Sequence, residues 1–248
     1  GVSVPSRTGR LQSYRLLVAD PFRDGDCDTV SFFPYDCCAW MFLLYLGDMN
    51  TFHLELSDSL LTDGGEIAYS HEDSASDTTI MISKTTLGWI HLSGGDFGTG
   101  STVSIVNVHG KQIRVQNGWK ESSKLEVISS NFTAFLPFPS AYQNTFLFDA
   151  LVTMDPQTIH RFINSTFEDQ ANKCVLCYPP NSLAGTIIIE GCTFTISPHL
   201  VNRESVTIRT TGDLIIDNTT SFHGGYIVLE MQGSGRDVQV YITNSDIE

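Results

Sequence analysis

The stretch Ile187-Ile188-Ile189-Glu190-Gly191-Cys192-Thr193-Phe194 carries the pattern on which the fold turns. Two apolar residues, Ile187 and Ile189, are separated by one position. A turn-type residue, Gly191, follows two places after the second, and an apolar residue, Phe194, comes three further on. The same spacing returns as Leu125-x-Val127-x-Ser129-x-x-Phe132, Val240-x-Ile242-x-Asn244-x-x-Ile247, Ile80-x-Ile82-x-Lys84-x-x-Leu87 and Leu54-x-Leu56-x-Asp58-x-x-Leu61. His160-x-Phe162-x-Asn164-x-x-Phe167 fits with a histidine first, Leu214-x-Ile216-x-Asn218 with its Phe222 displaced by one, and Val103-x-Ile105-x-Asn107 with Gly110 in the aromatic place.

The second apolar residue of each copy falls at 56, 82, 105, 127, 162, 189, 216 and 242, with spacings of 26, 23, 22, 35, 27, 27 and 26. Periods of about 20 to 50 residues are the signature of solenoids. The period-two alternation makes each copy a strand. The turn-type residue marks a corner, and Asn and Gly there tolerate a left-handed backbone. Second strand-like runs follow: Trp89–Leu92, Gln112–Val115, Thr145–Phe148, Val206–Ile208 and Tyr226–Leu229. Two or three short strands per turn of two dozen residues describe an all-β, right-handed parallel β-helix of about eight coils. Each coil buries its apolar face only by stacking on its neighbours. The spacing of 35 predicts a loop insertion at about 133–156, which holds Phe135-Leu-Pro-Phe-Pro139. A leucine-rich repeat is the nearest alternative, but its Asn would fall one place later and a helix would follow each strand. A two-sheet sandwich gives no reason for an in-phase motif.

Residues 1–50 lack the repeat and are rich in Cys and aromatics; they are expected to form an N-terminal cap or contact segment, with the β-helix spanning 51–248. The last motif runs almost to the final residue, so further coils or another subunit are expected to stack there.

The chain has 248 residues, 41% hydrophobic and 17% charged, with 14 Lys and Arg against 28 Asp and Glu. A net charge of −14 argues against nucleic acid as a partner, because phosphate binding needs basic patches. The longest apolar run, Ala39 to Leu46, is too short to span a bilayer. Six cysteines (Cys27, Cys37, Cys38, Cys174, Cys177 and Cys192) and three sequons (at Asn131, Asn164 and Asn218) predict a disulfide-bonded, N-glycosylated, extracellular chain. Cys174-x-x-Cys177 lacks the second ligand pair that a zinc site needs.

The phrases Phe162-Ile-Asn-Ser-Thr-Phe167, Ile189-Glu-Gly-Cys-Thr-Phe194 and Ile242-Thr-Asn-Ser-Asp-Ile247 resemble the coil motif of β-helix surface proteins, closest to the dispersed gene family surface proteins of kinetoplastid protists. The resemblance is one of pattern over about 50–248. It implies a pectin-lyase-like fold, a surface location and a structural or adhesive role. The function expected is therefore a surface glycoprotein, part of a filament or long stalk assembled end to end from copies of itself or neighbouring coils.

The same fold hosts polysaccharide lyases and glycoside hydrolases. Glu190 and Asp217 take the same outward position in consecutive coils, a separation near 5 Å that suits a retaining pair. With 28 acids on the chain, such a pair also arises by chance, and no cation shares the column. Asp24, Asp26 and Asp28 resemble the start of a calcium loop. Thr29 stands where the EF-hand has Gly, and Tyr35 where it has Glu, so calcium is a weak expectation and no other cofactor is expected. His160, at a core-facing phase, is expected to be packed rather than catalytic.

Overall fold

A computed structural model describes residues 41–46, 52–58, 66–71, 78–134, 146–148, 154–169, 176–177, 185–196, 204–210, 212–218, 220–223, 226–231, 237 and 239–247. Among these the secondary structure is all β, with strands numbered here in chain order. The motif strands form one parallel sheet in the order β2 (Phe52–Ser57), β4 (Thr78–Ser83), β6 (Thr102–Val106), β9 (Lys124–Ile128), β12 (Ile159–Ile163), β15 (Thr186–Glu190), β18 (Leu214–Asp217) and β21 (Val240–Ile242). A second parallel sheet runs β1 (Met41–Leu46), β3 (Glu66–His71), β5 (Trp89–Gly94), β8 (Gln112–Val115), β11 (Phe146–Phe148), β14 (Leu176–Cys177), β17 (Glu204–Thr210) and β20 (Tyr226–Met231). A third holds β7 (His109–Gly110), β10 (Asn131–Ala134), β13 (Thr166–Asp169), β16 (Thr193–Ile196), β19 (Ser221–His223) and β22 (Asp246–Ile247). From β6 onward each turn of chain visits the three sheets in rotation, which makes the fold a parallel β-solenoid.

The register matches the spacing of the motif. Leu56 pairs with Ile82, Ile82 with Ile105, Ile105 with Val127, Val127 with Phe162, Phe162 with Ile189, Ile189 with Ile216 and Ile216 with Ile242. The spacing of 35 costs no register, since Val127 still pairs with Phe162. Within the 133–156 stretch, β11 joins the second sheet and Met154 bridges to Trp119; residues 135–145 and 149–153 lie outside the described residues.

Burial alternates with the pleat. Ile80, Ile82, Val103, Ile105, Leu125, Val127, Ile187, Ile189, Leu214 and Ile216 are fully enclosed, with polar or partly exposed residues between them. On the third sheet the aromatic position stacks: the Phe132 and Phe167 rings lie 5.8 Å apart at 14°, and Phe167 and Phe194 lie 5.3 Å apart at 10°. Gly110 breaks this column for a packing reason, since a Cβ there would stand 2.8 Å from the Phe132 ring.

All eight corner residues adopt positive φ: Asp58 at 51°, Lys84 at 47°, Asn107 at 54°, Ser129 at 49°, Asn164 at 47°, Gly191 at 60°, Asn218 at 59° and Asn244 at 46°. The bend leaves the ladder unbroken. The corner N–H groups of Lys84, Asn107, Ser129 and Asn164 donate to Val106, Ile128, Ile163 and Glu190 of the next rung at 2.8–3.0 Å. Gly191 fits its corner for a further reason: a Cβ would run into Asn164 Oδ1, whose side chain lies along the same edge. Gly191→Ala is expected to destabilise by about 1–2 kcal/mol, the cost of a left-handed backbone with a Cβ. Part of that loss should vanish in an Asn164→Ala background; a denaturant double-mutant cycle showing strict additivity would contradict the contact.

Candidate functional site

The corners are where side-chain chemistry concentrates. Just inside four of the bends sits a small hydroxyl side chain that folds back onto a carbonyl at or just before the corner. Thr85 Oγ1 donates to Ser83 O at 2.8 Å, Ser130 Oγ to Ile128 O at 2.9 Å, Ser165 Oγ to Ile163 O at 2.9 Å and Thr220 Oγ1 to Asp217 O at 2.8 Å. The same oxygens accept from the preceding rung, with Val108 N–H on Ser130 Oγ at 3.0 Å and Ser130 N–H on Ser165 Oγ at 3.1 Å. These groups are buried, and the ladder satisfies donors and acceptors that water does not reach. Reading the sequence for apolar residues missed this column. Its signal was a Ser, Thr or Cys one or two places after each of most turn residues.

Cys192 belongs to this ladder. Its thiol is free and buried, and its Sγ lies 3.5 Å from Glu190 O. The expected disulfide at this position is thus replaced by an interior hydrogen-bonding role, because the inward side of a corner faces the neighbouring rungs. Cys27, Cys37, Cys38 and Cys174 lie outside the described residues, and Cys177 lies in β14. Burial pushes the Cys192 thiol up to about 12, so it stays protonated at neutral pH. We expect no native labelling of Cys192 by a thiol reagent at pH 8 and full labelling in denaturant, read by mass spectrometry. Cys192→Ser is expected to cost no more than about 1 kcal/mol, since the hydroxyl serves the same bonds.

The three sequon asparagines are exposed. Asn164 and Asn218 are corner residues pointing outward, with the buried ladder formed by Ser165 and Thr220. These two sequons therefore coincide with what the corner requires: an Asn for the left-handed turn and nearby hydroxyls. Asn131 has no such architectural reason, as it opens β10 beside His109 and Thr166.

Glu190 and Asp217 pair in adjacent strands as the spacing implied. Their column reads Ser57, Ser83, Val106, Ile128, Ile163, Glu190 and Asp217, so apolar side chains precede the two acids. Asp217 Oδ1 accepts from Thr243 Oγ1 at 2.6 Å and from Asn244 Nδ2 at 3.1 Å. The Thr243 hydroxyl foremost, then the Asn218 backbone N–H and the Asn244 amide, hold its carboxyl below the usual range. A proton donor for a glycosidic oxygen needs a raised pKa. Asp217 is tuned the opposite way, its carboxylate favoured by the bonds that tie one corner to the next.

His160 is fully buried between Leu125 and Ile187 in the core column, its ring centroid 4.7 Å from that of Trp119 and the two planes at 73°. Asp24, Asp26 and Asp28 lie outside the described residues, and among the described ones no group of three His, Cys, Asp or Glu is placed to hold a metal. No described helix is long and apolar enough to cross a membrane.

Comparison of the chain with protein-family models, curated proteins and solved structures found no match. The class its own geometry defines is the parallel β-solenoid.

Proposed function

We propose that this chain is a rigid structural or adhesive element displayed outside the cell, glycosylated at Asn131, Asn164 and Asn218. The observation that carries the reading is the anchor column, which keeps its register from Leu56 to Ile242 across every rung of the motif sheet. An array of this kind resists bending and presents long outward columns, the geometry solenoids use for extended contact surfaces. Exposure of the three sequon asparagines is compatible with glycans on the finished fold.

The finer reading, a filament or stalk built rung upon rung, draws support from β21. Val240, Tyr241 and Ile242 are 39%, 51% and 42% exposed, whereas Leu54 and Leu56 on β2 at the opposite edge are 4% and 3% exposed. In this reading the exposed β21 edge pairs with a rung of another copy. The resemblance to kinetoplastid β-helix surface proteins belongs to this reading.

A polysaccharide lyase or hydrolase has one observation in its favour, the stacking of Glu190 on Asp217. The test joins both readings. Electron microscopy of the native source should find rods or surface fibres, and peptide mapping after glycosidase treatment should find carbohydrate at the sequons. Turnover of a polysaccharide that disappears in Glu190→Gln and Asp217→Asn would overturn the structural reading in favour of the enzyme.

A further inference from the structure

We infer that the Asn218 sequon takes its glycan only before its own rung closes, because the hydroxyl that makes it a sequon is the one the fold then buries. The inference rests on the reading of the chain as a glycoprotein. A sequon is read through the amide of its first residue and the hydroxyl of its third. The third residues here are Thr133, Thr166 and Thr220. Thr133 and Thr166 alternate with the enclosed Phe132 and Phe167 along the third sheet, and both keep part of their surface exposed. Thr220 is fully buried.

Spacing accounts for the difference. At four earlier corners the side chain that turns inward stands one place past the bend: Thr85 after Lys84, Ser130 after Ser129, Ser165 after Asn164 and Cys192 after Gly191. The aromatic residue then follows three places past the bend, as Phe132, Phe167 and Phe194 do. From Asn218 to Phe222 the chain carries one residue more, yet Ser221 still pairs with Thr193 and Phe222 with Phe194. The inward place is therefore filled by the second residue past the corner, Thr220. At Asn164 the inward hydroxyl and the sequon hydroxyl belong to different side chains, Ser165 and Thr166. At Asn218 they are the same.

The buried hydroxyl is fully engaged. Thr220 Oγ1 lies 2.8 Å from Asp217 O and 3.4 Å from Ile189 O, and it accepts from the Cys192 N–H at 3.4 Å. A transferase that needs this oxygen has to draw it out of a ladder of satisfied, enclosed groups. Asn218 itself stays exposed, so a glycan already attached does not hinder closure. The order runs one way, sugar first and rung second. Transfer forms the bond from Asn218 Nδ2 to the sugar C1 and breaks the C1–O bond to the lipid pyrophosphate that carries the oligosaccharide. The pyrophosphate leaves with the bonding pair, and one amide proton passes to a base of the transferase.

The full chain, produced without glycans and folded, is given an oligosaccharyltransferase and its lipid-linked oligosaccharide, and occupancy is read by peptide mapping. Asn131 and Asn164 should be modified. Asn218 should be modified roughly tenfold less or lower still, since its sequon is presented only while the rung is locally open. A short peptide of residues 214–223, which has no neighbouring rung to close against, should accept at Asn218. Deleting Thr219 restores the usual spacing and puts Ser221 in the third place of the sequon, so that variant should accept at Asn218 while folded. If it does not fold, the other two measurements decide. Modification of Asn218 on the folded chain to an extent comparable with the other two sites overturns the inference. So does refusal at all three, which would make the whole fold and not Thr220 the barrier, and so does refusal by the peptide or by the folded deletion variant. Native protein with no carbohydrate at any sequon would overturn the glycoprotein reading and this inference with it; that failure is told apart because the comparison in vitro uses no native glycan.

Discussion

Phe167→Ala is expected to lower the stability of the solenoid by about 3–5 kcal/mol, the usual range for deleting a buried aromatic side chain. Phe167 is fully enclosed and lies between the Phe132 and Phe194 rings, with the Phe162 ring edge-on at 5.8 Å. Its removal leaves a ring-sized void and takes away three aromatic contacts at once. Each such contact is worth roughly 0.5–1.5 kcal/mol beyond area burial. A solenoid has no distant contacts to compensate, since each rung touches only its neighbours. The loss should therefore weaken the coupling between the β10 and β16 rungs, broadening the urea transition as well as moving its midpoint. Phe167→Leu, which refills much of the volume, should cost clearly less. A midpoint shift for Phe167→Ala equivalent to under about 1 kcal/mol would mean that the rings merely line up and do not bind the rungs together.

The second large effect is set by pH. His160 occupies a core position between aliphatic neighbours, and burial lowers its pKa from 6.5 to about 3. Above pH 6.5 the imidazole is neutral in both folded and unfolded chains, so it contributes no pH dependence. Below 6.5 the unfolded chain takes up a proton that the folded chain refuses. Stability then falls by about 1.4 kcal/mol per pH unit. The fall levels off near pH 3, after a total on the order of 5 kcal/mol. His160→Leu continues the Leu125–Ile187 column and removes this titration. Chemical denaturation at pH 7 and pH 4.5 should show the wild type losing stability between the two relative to the variant. The comparison isolates the imidazole from the many carboxylates that titrate over the same range. Parallel pH profiles for the two proteins would show that this histidine takes its proton without opening the core.

The solenoid was legible because its information is one-dimensional. A motif that repeats in phase fixes both strand and register, and each anchor residue found by spacing stands in one column of the structure. The corners were legible for the same reason: Asn at four of eight positions marked the bend, and Lys84, Asp58 and Ser129 adopted the same positive φ because their neighbours imposed it. The stacking of Glu190 on Asp217 followed from period and phase alone. Its chemical meaning did not. The hydrogen bonds from Thr243 and Asn244 that hold Asp217 anionic come from the following rung, 26 and 27 residues along the chain.

Cys192 marks the boundary most clearly. Counting cysteines placed it in a disulfide, while its location just inside a bend made it the sulfur counterpart of Ser130 and Ser165. The amino-acid order by itself determined which residues turn inward and how successive turns of chain line up, because alternation and period are local properties that stacking only repeats. Only the tertiary structure decided what the remaining side chains do. Hydrogen bonding across a bend and the proton affinity of an enclosed imidazole both depend on groups that meet after the chain has come round a full turn.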